Sequence, residues 1–197
     1  NIDFYPVVDV NNNPRNPVIN LRSFGEDPAA VSRMAVAYIK GIQSAGAFAT
    51  AKHFPGHGDT ATDTHLDLAV IEHPRSRLDA VERVPLKAVI AAGIDAVMST
   101  HIRLPALDPT EGLPATLSRP ILTGLLRTEL GFSGLVFTDS MSMLAISRRF
   151  GNEKAAALSG INVARVRAVR IGLFFVLGSG SMYAASALNF IDDISAA

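Results

Sequence analysis

The sequence predicts an α/β fold in which parallel strands alternate with outer helices, as in a (β/α)8 TIM barrel. Apolar strand-like segments begin near residues 4, 48, 96 and 135, and a helical pattern separates each pair. No glycine-rich dinucleotide or phosphate loop follows these segments, which weakens the alternative of an open doubly wound sheet. Polar residues instead follow the strands, where barrel enzymes carry their chemistry: Asp9, Asn11, His53, His101 and Asp139.

Turn and capping residues bound the predicted elements. Strands are expected at 4–10, 48–52, 96–100 and 135–138, and helices at 28–45, 76–92 and 118–130. Asp27 and Pro28 begin the first helix, Pro85 interrupts or restarts the second, and Ser118 caps the third. Glycines at 46, 93 and 131 end them. One apolar face of the first helix is expected to pack on the sheet: Val31, Met34, Ala35, Tyr38, Ile39 and Ile42.

The composition indicates a globular domain whose partner is a small molecule. The chain has 197 residues, 48% of them hydrophobic, and its 18 basic and 18 acidic side chains cancel. No broad electrostatic surface for nucleic acid or an anionic membrane is therefore expected. The absence of cysteine excludes disulfides and thiolate zinc sites.

The first residues of the chain are relevant to how the protein is processed and where it is located. Residues 1–5 contain neither an initiator methionine nor the pattern of a signal peptide, so we expect an internal fragment. The compartment stays open: we favour the cytoplasm, and export is the alternative.

The densest group of candidate catalytic residues lies at 52–65, where three histidines, one lysine and two aspartates share fourteen residues. Asp63 and His65 are close enough for the carboxylate to hold an imidazole that transfers a proton near neutral pH. The alternative is a polar loop in which Asp63 is a turn residue. His57 lies between two glycines and is expected to anchor a tight turn by hydrogen bonds.

Three more polar residues end predicted strands. Lys52 and His53 either bind a substrate or are paired in the core, since an unpaired buried charge is costly. Asp139 follows the apolar segment 135–138 and is either a catalytic carboxylate or the N-cap of the next helix. The histidines of this chain lack the helical spacing of a zinc site, so no metal is predicted.

Several ordered motifs resemble glycoside hydrolase family 3, in its β-N-acetylglucosaminidase branch. They lie at 4–10, 16–17, 22–25, 52–65, 98–101, 114–118 and 131–139. The resemblance runs from residue 1 to about 157, which implies a partial family 3 barrel at 1–157 and a divergent segment at 158–197.

The resemblance also implies roles for the matching residues. It makes Asp139 the nucleophile and His65, oriented by Asp63, the acid/base. It makes Arg22, Lys52 and His53 the ligands of the sugar. The implied reaction is retaining hydrolysis of a terminal β-linked N-acetylglucosamine without a cofactor or metal. The implied substrates are carbohydrates such as muropeptide or chitin fragments.

Alternatives to this reaction stay open. A neutral imidazole beside Asp139 also admits an anionic acceptor, so phosphorolysis is a variant within the family. Family 3 β-glucosidases and xylosidases resemble the same barrel, but they usually take their acid/base from a second domain and lack the Asp-x-His loop. A non-catalytic sugar-binding module is an alternative of a different class.

The chain departs from the family pattern at both ends. Family members normally have earlier barrel strands and a sugar-binding aspartate before the equivalent of Asn1, so an incomplete barrel with exposed sheet edges is expected. The sequence diverges near Leu158, and 171–191 contains no charge. We prefer a strand at 173–177 followed by a helix to a membrane span there, and an altered reading frame is a further alternative.

Overall fold

The computed structural model describes residues 1–151. Its strands are β1 (Ile2–Asp3), β2 (Phe48–Phe54), β3 (Ala69–Val70), β4 (Ala96–Ser99), β5 (Ile102–Arg103) and β6 (Leu135–Thr138). Its α-helices are α1 (Pro28–Ser44), α2 (Arg75–Ala80), α3 (Arg83–Ala91) and α4 (Leu144–Phe150). Pro120–Glu129 is a π-helix, and Asn20–Arg22 and Ala115–Leu117 are 3₁₀ turns.

The central sheet has the strand order β1-β2-β4-β6, and every neighbouring pair is parallel. Strands β3 and β5 form a separate parallel pair. Because all strands of the sheet run the same way, their carboxyl ends meet at one edge, where Lys52 lies opposite Met98 and Ser99 opposite Thr138. The parallel α/β architecture is therefore confirmed, while closure into eight strands stays a prediction.

The first strand differs from its prediction. Continuous pairing is limited to Ile2–Asp3, and Val7 forms only a single bridge to Lys52. The prediction of one strand over 4–10 was wrong because Pro6 has no N–H to donate and can only accept, as its carbonyl does from the Lys52 amide at 3.0 Å. After Pro6, the Val8 amide again bonds to β2, since it donates to the Lys52 carbonyl at 2.7 Å.

Helix α1 begins and ends where the sequence predicts. The Asp27 carboxylate accepts from the Ala30 amide at 2.7 Å, and Gly46 follows the helix with a φ of 76°. The buried face is narrower than predicted: Val31, Ala35 and Ile39. Met34 is 53% exposed and Tyr38 is 37% exposed. Both lie one residue before the buried stripe, about 100° around the helix from it.

The segment predicted as one helix over 76–92 is two helices. The break falls between α2 and α3, so Pro85 lies in the first turn of α3, where a missing N–H removes no helical hydrogen bond. Ser118 caps the next helix as predicted, since its Oγ atom accepts from the Ile121 amide at 3.2 Å. This helix is wound as a π-helix and ends with the Leu130 amide bonded to the Leu125 carbonyl.

The apolar core lies between the sheet and the helices. It includes Ala35, Ile39, Ala51, Phe54, Leu86, Val97 and Leu126. Burial of these side chains is the main force that holds the helices on the sheet. Beside the core, the Glu129 carboxylate accepts from Arg75 and from the buried Arg83, which ties the π-helix to α2 and α3.

Expectations for 158–197 fall outside the residues that the structure describes. These are the divergent segment, the strand at 173–177 and the alternative of a membrane span at 171–191. Within residues 1–151, no helix has both the length and the apolar character that crossing a membrane requires.

The tight packing of Gly58 leads to a stability prediction. A Cβ atom at Gly58 would collide with the carbonyl oxygen of Val10, so Gly58→Ala should lower the free energy of unfolding by about 1–3 kcal/mol. Gly41→Ala is the matched control, because a Cβ there meets nothing within 4 Å and Gly41 lies inside α1. That change should raise the free energy of unfolding by roughly 0.5–1 kcal/mol. Urea denaturation measures both, and equal effects would contradict this packing.

Glu129 leads to a prediction for the pH dependence of stability. Hydrogen bonds from Arg75 and Arg83 lower the pKa of Glu129 from 4.5 to about 2. Its stabilising effect is therefore fully present above pH 4.5 and is lost as the pH falls towards 2. Because Glu129 is partly exposed, solvent screening reduces this effect to roughly 1 kcal/mol.

Denaturation of wild type and Glu129→Gln between pH 3 and pH 7 tests this expectation. The stability difference between them should be constant at neutral pH and should shrink in acid. Exposed Glu111→Gln is the control and should show no such trend. A difference that does not change with pH would rule out the expected role of Glu129.

Candidate active site

The carboxylate of Asp9 organises the carboxyl edge of the sheet. Asp9 is 1% exposed, and its Oδ2 atom accepts from the Nδ1 atom of His53 at 2.6 Å and from the His53 amide at 3.2 Å. Its Oδ1 atom accepts from the His57 amide at 2.6 Å. Because a carboxylate only accepts, the Nδ1 atom of His53 carries the proton. The Nε2 atom makes no bond to Asp9 and lies on the side of the ring that is near Asp139.

Burial and hydrogen bonding act in opposite directions on the pKa values here. Burial alone would raise the pKa of Asp9, but His53 and His57 together hold it below its ordinary value. Burial lowers the pKa of His57, which keeps this imidazole neutral. The ring nitrogens of His57 lie 3.1 Å from the Thr60 hydroxyl and 3.0 Å from the Thr64 hydroxyl. His57 is thus the hydrogen-bonded anchor that the sequence predicts.

Asp139 ends β6 beside His53. The Oδ2 atom of Asp139 lies 4.0 Å from the Nε2 atom of His53, and the Asp139 amide donates to the Ser99 carbonyl at 3.0 Å. Helix α4 begins only at Leu144, with Met143 before it. Asp139 is therefore not the N-cap of that helix, and the structural alternative for this carboxylate is wrong.

His101 supports the backbone after Asp139. Its Nε2 atom donates to the Ser140 carbonyl at 2.8 Å, and its Nδ1 atom lies 2.9 Å from the Thr116 hydroxyl. Burial lowers the pKa of His101, so this ring is neutral. Of the polar residues predicted at the strand ends, His101 thus acts on the backbone rather than facing a ligand.

Asp63 and His65 form the predicted pair. The Oδ1 atom of Asp63 accepts from the Nδ1 atom of His65 at 2.7 Å and from its amide at 2.8 Å. Burial acts to raise the pKa of Asp63, but these two hydrogen bonds outweigh it and lower the pKa. The His65 side chain is 60% exposed. Within residues 1–151, neither residue of the pair forms a hydrogen bond or ion pair with Asp139.

Lys52 and Arg22 add positive charge near Asp139. Lys52 is half-buried, and its Nζ atom lies 4.7 Å from the centre of the Tyr5 ring. Burial lowers the pKa of Lys52 and the charge of Arg22 lowers it further, while the charge of Asp139 acts to raise it. Arg22 is exposed and donates to the Val18 carbonyl at 3.1 Å. Lys52, His53, Arg22 and Asp139 therefore share one electrostatic environment.

Asn16 is a site residue to which the sequence analysis assigned no role. Its side-chain amide donates to the carbonyls of His57 and Gly58, each at 2.9 Å, while its oxygen accepts from the amides of Val18 and Ile19. Asn16 thus joins the segment that carries Arg22 to the turn before Asp63. The signal that could have found it is an asparagine before a proline in a motif already linked to the site.

The arrangement provides a carboxylate, an imidazole held by a second carboxylate, and cationic side chains at one edge of a sheet. Such groups can carry out nucleophilic attack and proton transfer. Across residues 1–151, no cluster of three or more histidine, aspartate or glutamate side chains could hold a metal ion.

Comparison with known proteins identifies the family. Residues 1–181 match the glycosyl hydrolase family 3 N-terminal domain. The chain is 42% identical over 160 residues to β-hexosaminidase A of Pseudoalteromonas piscicida, covering 76% of this chain and 27% of that protein. These matches confirm the resemblance that the motifs carry.

Solved structures give the same result. A family 3 β-N-acetylglucosaminidase from Paenibacillus sp. str. FPU-7 superimposes with a TM-score of 0.79 at 48% identity, over 81% of this chain and 30% of that one. The β-glucoside phosphorylase BglX superimposes with a TM-score of 0.77 at 32% identity, again over 81% and 30%. The chain thus spans less than a third of each of these proteins. It belongs to glycosyl hydrolase family 3, through the TIM-barrel-type N-terminal domain of that family.

Proposed function

We propose that this chain is the sugar-binding and catalytic part of a retaining β-N-acetylglucosaminidase. The observation that carries the proposal is the Asp63–His65 hydrogen bond of 2.7 Å, which leaves the Nε2 atom of an exposed imidazole to transfer a proton. Asp139 supplies a carboxylate at the carboxyl edge of the sheet. A nucleophilic carboxylate and a separate proton donor are what a retaining glycosidase requires.

In the first step, an oxygen of Asp139 attacks the anomeric carbon as the glycosidic bond breaks. His65 gives its Nε2 proton to the departing oxygen, which leaves as an alcohol, and the sugar stays bound to Asp139 as an ester. In the second step, His65 takes a proton from water, and the hydroxide displaces Asp139. Two inversions at one carbon restore the β configuration.

Asp63 gives His65 the properties this cycle needs. Its carboxylate fixes the proton on Nδ1 and stabilises the imidazolium that forms when Nε2 is protonated. In the usual pair of glycosidase carboxylates, both groups are acids. An imidazole carries no negative charge in either protonation state, so it does not replace the missing acid with a second anion.

The sugar-binding residues in this proposal are Arg22, Lys52 and His53. His53 is held by Asp9 and keeps Nε2 for a substrate hydroxyl, and Lys52 offers donors from a half-buried position. Relatives named β-hexosaminidase and β-N-acetylglucosaminidase support a terminal N-acetylglucosamine as the substrate. Muropeptide or chitin fragments would carry that sugar, and peptidoglycan recycling is one process that produces them.

A chromogenic assay tests the proposed hydrolysis. The folded chain should release 4-nitrophenol from its N-acetyl-β-glucosaminide, and Asp139→Ala should lower this rate by at least about 1,000-fold because it removes the nucleophile. Asp27→Asn is the control, since it changes an aspartate at the start of α1 and keeps a capping oxygen.

Two outcomes would contradict the proposal. A folded chain that releases no 4-nitrophenol, while a full-length relative does, would exclude intrinsic hydrolysis. N-acetylglucosamine binding that survives Asp139→Ala, with no turnover by either protein, would favour a non-catalytic sugar-binding module.

Phosphorolysis is the second candidate function. It is favoured by the similarity to the β-glucoside phosphorylase BglX and by a proposed proton carrier that is a histidine rather than a carboxylate. A phosphate dianion would then displace Asp139 in the second step, because the proton carrier is an imidazole and adds no negative charge of its own.

Product analysis separates the two reactions. With phosphate present, a phosphorylase should yield N-acetylglucosamine 1-phosphate, and the share of this product should rise with phosphate concentration. A hydrolase should yield the free sugar at every phosphate concentration. Sulfate at equal ionic strength is the control for salt effects.

A further inference from the structure

A group of four polar side chains lies at the start of the loop that carries Asp63 and His65. We call residues 59–67 the acid/base loop and define the anchor cluster as Asp59, His73, Arg77 and Glu82. The Oδ2 atom of Asp59 lies 2.7 Å from the Nε2 atom of His73 and 3.4 Å from a terminal nitrogen of Arg77. The proposed reaction assigns no role to this cluster.

Arg77 is held firmly by Glu82. Both carboxylate oxygens of Glu82 accept from the same terminal nitrogen of Arg77 at 2.8 Å, and Glu82 is 1% exposed. A buried carboxylate without a partner is costly, so this pair resists separation. Arg77 is therefore a fixed point to which the start of the loop can be tied.

Glu82 also contacts the backbone just before the loop. A Cβ atom at Gly56 would lie 2.7 Å from the Cβ atom of Glu82 and 2.8 Å from its Cγ atom. Only a glycine at position 56 lets these two segments of the chain come this close. The anchor cluster thus touches the chain at Gly56 by packing and at Asp59 by charge.

The rest of the acid/base loop is held partly by His57, which contacts Thr60 and Thr64, and partly by α4. The His65 side chain is 60% exposed, and its ring is held by Asp63, which belongs to the same loop. At the far end, the Leu144 amide donates to the His65 carbonyl at 3.3 Å, and Arg148 lies 3.5 Å from the Leu66 carbonyl. The His57 ring also holds the buried Thr64 hydroxyl at 3.0 Å, directly before His65. The position of the imidazole therefore depends on this contact and on the ties to Asp59 at the start of the loop.

We propose that Arg77 is a positioning residue for the acid/base loop. Through Asp59 it holds the loop so that His65 reaches the departing oxygen of a sugar bound at Asp139. This inference rests on the proposed function, because it uses the role of His65 as the proton donor. Arg77 itself touches neither the sugar nor the reacting atoms.

The test compares Arg77→Gln with Arg75→Gln. Both arginines lie on α2, but Arg75 pairs with Glu129 and Asp79 at the surface and makes no contact with the loop among the described residues. The substrates are phenyl and 2,4-dinitrophenyl N-acetyl-β-glucosaminides. Phenolate is a poor leaving group that needs a proton, whereas dinitrophenolate departs without one.

A misplaced proton donor should affect the two substrates differently. Arg77→Gln should lower kcat/KM for the phenyl glycoside on the order of 100-fold, as a displaced catalytic group does, and for the dinitrophenyl glycoside by less than about tenfold. His65→Ala should show the same pattern. Arg75→Gln should change either value by no more than about twofold, as expected for an exposed ion pair.

A purely structural role for Arg77 predicts other results. Equal losses on both substrates, or values that match those of Arg75→Gln, would overturn the proposal. Should Arg77→Gln fail to fold, Asp59→Asn takes its place, because it keeps the shape of the side chain and removes its charge. Asp59→Asn should reproduce the difference between the two glycosides.

Hydrogen exchange followed by mass spectrometry gives a second measurement that needs no activity. In the full chain, amides of 59–67 should exchange faster in Arg77→Gln than in wild type or Arg75→Gln. Equal exchange in the three proteins would overturn the proposal. If wild type cleaves neither glycoside, the proposed function fails, and exchange alone then decides whether Arg77 holds the loop. If wild type and His65→Ala behave as expected but Arg77→Gln matches wild type, only this inference fails.

Discussion

The candidate site depends on the hydrogen bonds that the buried carboxylate of Asp9 accepts. A charge without exposure to water is tolerated only when donors surround it, and here the donors come from the amide and ring of His53 and from the amide of His57. These bonds join the N-terminal segment to the end of β2 and the turn that follows. They also fix the proton of His53, so one carboxylate determines both the backbone path and the chemistry of the ring that approaches Asp139.

The parallel sheet supplies the remaining geometry. Residues far apart in the sequence, such as Asp9, Lys52 and Asp139, meet because parallel strands end at one edge. The segment that carries Asp63 and His65 leaves this edge as a loop. Asn16 holds the turn just before it, and His73 and Arg77 hold Asp59 at its start. The proposed nucleophile thus follows a strand of the sheet, whereas the proposed proton donor belongs to a loop that these contacts hold in place.

Much of the fold could be predicted because its signals are local. Asp27 and Gly46 bound α1, and the apolar strand before Asp139 lies where expected. The Asp63–His65 pair was also predictable, since two residues at this spacing can bond directly. The error in the first strand also has a local cause, since Pro6 has no N–H to pair. The exposure of Met34 depends instead on which face of α1 packs against the rest of the protein.

The sequence by itself determined the alternation of strands and helices, the family and the residue types available for catalysis, because each is written in short, ordered motifs. Tertiary structure alone decided which carboxylate is buried, which histidines are neutral and which groups face Asp139. Asp9 meets His57, and Arg77 meets Asp59, only when segments from different parts of the chain pack together. Burial and electrostatic pairing are properties of that packing, and no local pattern specifies them.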